Sequence, residues 1–125
     1  MVETLTIRRP DDFHHHFRQN HLLEMVVEML VKQGWGRVLA MPNTVPAIIS
    51  CEEAVLYAKT TMATAQSRDP NYPSEFMPMG TIELREDTPP HELVKLSESK
   101  HLFAAKSYPR NMTTNSHHGV LDYRD

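Results

Sequence analysis

Three adjacent histidines, His14, His15 and His16, stand in the stretch RRPDDFHHHFRQN. Imidazole is the commonest side-chain ligand for a divalent metal, and two serve one ion only when they project to the same side. In an extended strand residues i and i+2 share a side, so His14 and His16 form a pair while His15 turns away. Arg18 continues that alternation, and its planar fork suits a carboxylate; Asn43, after the apolar run GRVLAMP, is a second polar group able to help it. Lys106 ends the apolar segment LFAAK. Held in a partly buried site, its amine is pushed towards the neutral, nucleophilic form. A neutral amine takes up CO2 as a carbamate, an anionic oxygen ligand able to bridge two metals. Each residue also has a plain reading: histidines hydrogen-bonding at a strand end, Arg18 as a solvated charge, Asn43 as a turn residue after Pro42, Lys106 snorkelling into solvent.

Positioning these groups requires elements that bring positions 14 to 18, 43 and 106 together. TLTIRR alternates and is β-branched, predicting a strand over Leu5–Arg9 that leads to the histidines. NHLLEMVVEMLVKQG predicts a helix with Asn20 as N-cap, an apolar stripe of Leu22, Met25, Val26, Met29 and Leu30, and Gly34 at its end. GRVLAMPN then suits a short buried strand. Ser50 and Glu53 make a capping box at the head of a second helix, SCEEAVLYAKTTMATA. EFMPMGTIEL predicts a third strand, against which Pro78 argues. TPPHELVKLSES predicts a third helix with Thr88 as cap and Pro89 in its first position, and HLFAAKSYP a fourth strand ending near Lys106.

The order β-α-β-α-β-α-β describes an α/β parallel sheet with helices packed on it. A doubly wound open sheet and a part of a (β/α)8 barrel both fit that order. No Gly-rich phosphate loop follows the first strand, which weakens the nucleotide-binding version. In a barrel, the C-terminal strand ends are where an active site collects.

The chain of 125 residues is enough for one domain and one core, and the loop punctuation at 67–76 reads as a connection within it. At 40% hydrophobic, 23% charged and a net charge of −3, it offers no electrostatic case for nucleic acid or an anionic membrane. No apolar run approaches the roughly 20 residues that span a bilayer, and MVETLTIRRPDD lacks the pattern of a secretory signal. The single cysteine, Cys51, excludes an internal disulfide and fits a reducing compartment, so a cytoplasmic location is expected.

Taken together, RRPDDFHHHFR, AMPN and AAKSYPRNMTTNSHHGV resemble the dihydroorotases of the amidohydrolase superfamily, in their shorter, monofunctional form. The His-x-His pattern is shared across the superfamily; joined to Arg18, MPN and the AAKxYP…TTNS segment it becomes specific. The resemblance implies the first half of a TIM-like (β/α)8 barrel, residues 1–125 forming the N-terminal portion of one barrel domain. It implies an enzyme that interconverts carbamoyl aspartate and dihydroorotate in pyrimidine synthesis with two zinc ions. His14 and His16 would bind the more buried zinc, Lys106, carboxylated, would bridge both, and Arg18 and Asn43 would hold the substrate carboxylate. Thr113 and Thr114 would lie in a mobile loop that closes over bound substrate. Two further histidine ligands and a proton-shuttling aspartate would come from later strands. None of those three is among these residues; His117, His118 and Asp122 do not take their places. Activity of the 125 residues by themselves is therefore not expected. His15 stands where the family carries an apolar residue, and burial there requires a hydrogen-bond partner.

Three readings compete. The first is a dihydroorotase segment, from a family that is commonly homodimeric, which needs its complementary half. The second is a non-catalytic relative acting as a partner or regulator of a full-length enzyme, with exposed strand edges that invite pairing. The third is another amidohydrolase of hydantoinase type, against which Arg18 and MPN count because they suit a carboxylate-bearing substrate.

Overall fold

The structure, a computed structural model, describes residues 3–69 and 71–124. Its elements are β1 (Asp12–His15), α1 (Asn20–Gln33), β2 (Arg37–Ala40), α2 (Cys51–Arg68), β3 (Met77–Leu84), α3 (Pro90–Glu98) and β4 (Leu102–Ser107). All neighbouring strands pair in parallel, in the order β1-β2-β3-β4. That order settles the choice left open by periodicity. A doubly wound sheet reverses its strand order at a switch point; here each strand joins the outer side of the one before it, as successive strands of a barrel do.

Two clusters fill the space between sheet and helices. One joins Leu23, Val27, Leu30 and Val31 of α1 to Val38 and Ala40 of β2, with Phe17, Ala65 and Phe76. The other joins Cys51 and Ala54 of α2 to Ile48, Ile82 and Leu102. Complete burial of side chains such as Phe17 and Ile82 contributes about 1.5–3 kcal/mol apiece. At Gly80 the approach is so close that a Cβ would stand 2.8 Å from Leu102 Cδ2 and 2.9 Å from the Ala54 carbonyl oxygen. Only glycine lets α2 lie this near β3. No helix among the described residues is long and apolar enough to cross a membrane.

Several local expectations need correction. No strand forms over Leu5–Arg9; β1 begins at Asp12 and carries the histidines itself. Leu5 and Ile7 stay 85% and 69% exposed, so their alternation has no face to bury. Asp11 ends this lead-in by accepting from the Arg37 backbone N–H at 2.8 Å and its Nε at 2.9 Å. Asn20 is the first residue of α1, at φ 54, rather than its cap; Gln19 is the cap residue, and its side chain bonds Val45 instead. The buried face of α1 is Leu23, Val27, Leu30 and Val31, while Leu22, Met25 and Met29 are exposed. This helix is apolar on more than one side, and the sheet decides which side is inward.

In α3, Pro89 is the cap and Pro90 begins the helix, while the Thr88 hydroxyl accepts from the Arg85 backbone N–H at 2.7 Å. Pro78 lies inside β3 after all, opposite Val38. The Met77 N–H bonds β2's side, to Gly36, and the Gly80 N–H bonds His101 on the other. Pro78's missing N–H falls on that second side, ahead of where pairing with β4 begins at Leu102, so no ladder bond is lost. The Ser50–Glu53 capping box and the left-handed Gly34 at φ 78 form as the sequence predicts.

Candidate metal and substrate site

The sheet has one face under the helices and one facing away, and two β-bulges decide which side chains go where. Between the register pairs Gly80↔Leu102 and Thr81↔Ala104, β4 advances two residues for one of β3. The extra residue is Phe103, and it reverses the parity of the remaining β4 residues. Leu102 and Ala105 therefore both pack towards α2 and α3, and Lys106 faces away from them, opposite Glu83 in the register. An unbulged strand would turn Lys106 into the helices.

The second bulge lies in β1, where Asp12 pairs with Val38 but His15 with Ala40. Val38 and Ala40 face the helices, so Asp12 and His15 do too, although they are three residues apart. His15 Nδ1 meets Asp12 Oδ2 at 2.8 Å, and its ring lies 5.2 Å from that of buried Phe17. The central histidine thus has the polar partner that its burial requires. His14 and His16 point the other way, with ring centroids 5.3 Å apart and planes inclined at 56°.

That outward side holds a pocket of about 240 Å³ at the C-terminal ends of the strands, and His14, His16, Arg18, Asn43, Lys106, Thr113 and Thr114 all line it. His14 and His16 arrive from β1 and its end, Arg18 from the turn into α1, Asn43 from beyond β2. Lys106 comes from β4, and Thr113 and Thr114 from the loop after that strand. Arg18 sits at φ 65, a conformation costly for a side chain other than glycine's, and its carbonyl accepts from the Tyr57 hydroxyl of α2. Its guanidinium makes no ion pair among the described residues. Asn43, 5% exposed, donates from Nδ2 to the Thr114 carbonyl at 3.0 Å, so the loop rests over the pocket.

Burial, more than any other effect, holds the His16 imidazole below its ordinary pKa, and the charges of Arg18 and His14 act in the same direction. A neutral imidazole keeps a lone pair for a metal. Among the described residues no three His, Cys, Asp or Glu side chains converge as a metal cluster. The rings of His117 and His118 lie 4.1 Å apart, inclined at 54°, and line a different pocket, with Arg85 and Arg110. The donor set is thus two imidazoles and one lysine on a shared pocket, chemistry that fits part of a metal site once Lys106 provides oxygen donors.

Two interior groups escaped the sequence reading. Glu83 is fully buried beside Lys106, with one oxygen bonded by Arg85 Nε at 2.9 Å and the other without a partner among the described residues. Tyr108 lies under the Lys106 ammonium, 5.6 Å from ring centroid to Nζ; burial, then the Glu83 charge, pushes its phenol up to about 12. Their signal was available as alternation: Glu83 stands two residues after Thr81, and Tyr108 two after Lys106, at the strand period of two. Cys51, by contrast, is structural. Burial pushes its thiol up to about 11, and its sulfur donates to the Glu92 carbonyl at 3.2 Å.

Consecutive parallel strands, helices on one face and polar groups gathered at the C-terminal strand ends define part of a (β/α)8 barrel of amidohydrolase type. No protein-family model matches the sequence. Known proteins do. The chain is 41% identical over 124 residues to a dihydroorotase of Vibrio cholerae, covering 99% of this chain and 34% of that protein. It is 40% identical over 116 residues to the dihydroorotase of Vibrio atlanticus, covering 93% and 32% respectively. The crystal structure of Saccharomyces cerevisiae dihydroorotase in complex with 5-fluoroorotic acid superposes with a TM-score of 0.75 at 26% identity, over 90% of this chain and 29% of that one. The dihydroorotase of Campylobacter jejuni gives 0.73 at 25% identity, over 96% and 35%. In both sequence and structure this segment matches part of a dihydroorotase. It spans about a third of the length of the relatives it matches, less than the half that its four strands suggest.

Proposed function

We propose that this segment supplies the first part of a zinc-dependent dihydroorotase site, acting on carbamoyl aspartate and dihydroorotate in pyrimidine synthesis. The observation that carries the reading is the convergence of His14, His16, Arg18, Asn43, Lys106, Thr113 and Thr114, from five separate places in the chain, on one pocket. His14 and His16 would hold a zinc ion, and Lys106, once carboxylated, would reach it and a second. Bound zinc supplies Lewis acidity at the amide carbonyl and a hydroxide at neutral pH.

The chain's own groups bind and orient. Arg18, free of any competing ion pair among the described residues, grips the substrate carboxylate with two parallel N–H donors. Asn43 adds a third donor from the end of β2. Thr113 and Thr114 cover the pocket and exclude water, which strengthens each of these contacts. The groups that complete the metal shell and move the proton are not among these residues, so turnover needs a complementary segment. A hydantoinase-like reading is weaker because Arg18 and Asn43 form a carboxylate cradle.

Cyclisation of carbamoyl aspartate, assayed with zinc, tests the proposal. The chain alone is expected to give no turnover, and the chain mixed with the remaining strands of a dihydroorotase relative is expected to restore it. Turnover by the chain alone would show the missing groups to be unnecessary. A folded, assembled complex without turnover would favour the non-catalytic, partner-binding reading.

A further inference from the structure

We propose that Tyr57 is a positioning residue for the substrate carboxylate, its hydroxyl holding the Arg18 backbone in the left-handed form that aims the guanidinium into the pocket. The inference rests on the proposed role of Arg18 in gripping that carboxylate. The guanidinium makes no ion pair among the described residues, so its aim is set from its own backbone. That backbone is unusual. Arg18 stands at φ 65 and Asn20 at φ 54, two left-handed residues within three positions. Asparagine tolerates this region, whereas arginine stays there only where the surrounding structure holds it.

Contacts on each side secure the turn from β1 into α1. Before Arg18, Phe17 is fully buried in the cluster between α1 and β2. After it, the Gln19 side chain brackets Val45, accepting from its N–H at 2.9 Å and donating to its carbonyl at 3.2 Å. Arg18 itself is held through its carbonyl, which accepts from the Tyr57 hydroxyl. Carbonyl and side chain branch from one Cα, so a carbonyl fixed just after a buried Phe17 also fixes the direction of Cβ.

Tyr57 is suited to this task. Its ring packs against both core clusters, so α2 delivers the hydroxyl from a fixed point. Burial pushes its phenol well up, against the charge of Arg18, so the hydroxyl remains a donor at neutral pH. None of these contacts involves the loop of Thr113 and Thr114. Arg18 is therefore aimed whether or not that loop covers the pocket.

Tyr57→Phe removes the hydroxyl and keeps the ring. In the zinc-free 125-residue chain, a positive φ at Arg18 shows as a short distance between its amide and α protons, read from nuclear Overhauser effects. Wild type and Gln19→Leu are expected to show it, and Tyr57→Phe is not. In the enzyme completed with its remaining strands, Tyr57→Phe should raise KM for carbamoyl aspartate about tenfold with kcat within about twofold, the pattern of lost ground-state binding. A positive φ kept in Tyr57→Phe, an unchanged KM, or a matching fall in kcat would each overturn the proposal. A wild-type complex without turnover would remove the substrate role of Arg18, and the φ comparison would still decide whether Tyr57 sets its backbone.

Discussion

His15 separates two readings of a histidine triplet: one cluster of three, or two ligands flanking a structural residue. Its Nδ1 is engaged by Asp12 and its ring rests on Phe17, on the helix side of the sheet, while His14 and His16 share the pocket. In an enzyme completed with its remaining strands, His14→Ala is expected to abolish zinc-dependent turnover. His15→Ala should cost less than about tenfold, the lower end of what removing an outer-shell partner of a metal ligand costs. Steady-state turnover of the two variants, with folding checked by circular dichroism, decides it. Equal losses would contradict the division of the triplet between two faces. That division was legible in the sequence from the strand period alone. Asp12 as the partner of His15 was not, because unbulged alternation puts residues three apart on opposite sides, and only the bulge in β1 reunites them.

The joint between α2 and α3 depends on a carboxylate that no periodicity singled out. Glu92 is the buried residue of α3; its Oε2 accepts from the Cys51 backbone N–H at 2.6 Å, at the first turn of α2, and Oε1 meets Lys95 at 3.1 Å. The Cys51 N–H first, then Lys95, hold its carboxyl at about 2, down from 4.5. A carboxyl with a depressed folded pKa stabilises the fold above its unfolded value, and that contribution is lost as pH falls through the folded one. Here it is complete above about pH 4.5 and gone near pH 2. Urea midpoints taken between about pH 5 and about pH 3 should therefore fall more steeply for the wild type than for Glu92→Gln, which has no charge to lose there. Parallel profiles would show that the Glu92 carboxylate does not hold the two helices together. The bulge in β4 works at the same scale. The apolar run LFAAK marks a strand, yet the inserted Phe103, invisible to hydrophobicity, is what turns Lys106 to the pocket.

For the molecule as a whole, element order and strand type were readable because each helix and strand carries its own period, and the residues of the site were readable because their motifs are dense. What the sequence left open was the order of the strands in the sheet, which depends on pairing between strands tens of residues apart. The α1 stripe went astray for a related reason: Leu22, Met25 and Met29 are as apolar as the residues that became buried, and only the sheet distinguishes the two faces. On the proposed function, one pocket carries part of a zinc site, with two imidazoles and a lysine as its donors among the described residues. Zinc titration of the isolated chain, followed by the ring resonances of all its histidines, tests this most directly. Weak binding that moves His14 and His16 and leaves His117 and His118 in place is expected; stoichiometric tight zinc, or binding centred on His117 and His118, would rule out a partial site in this pocket.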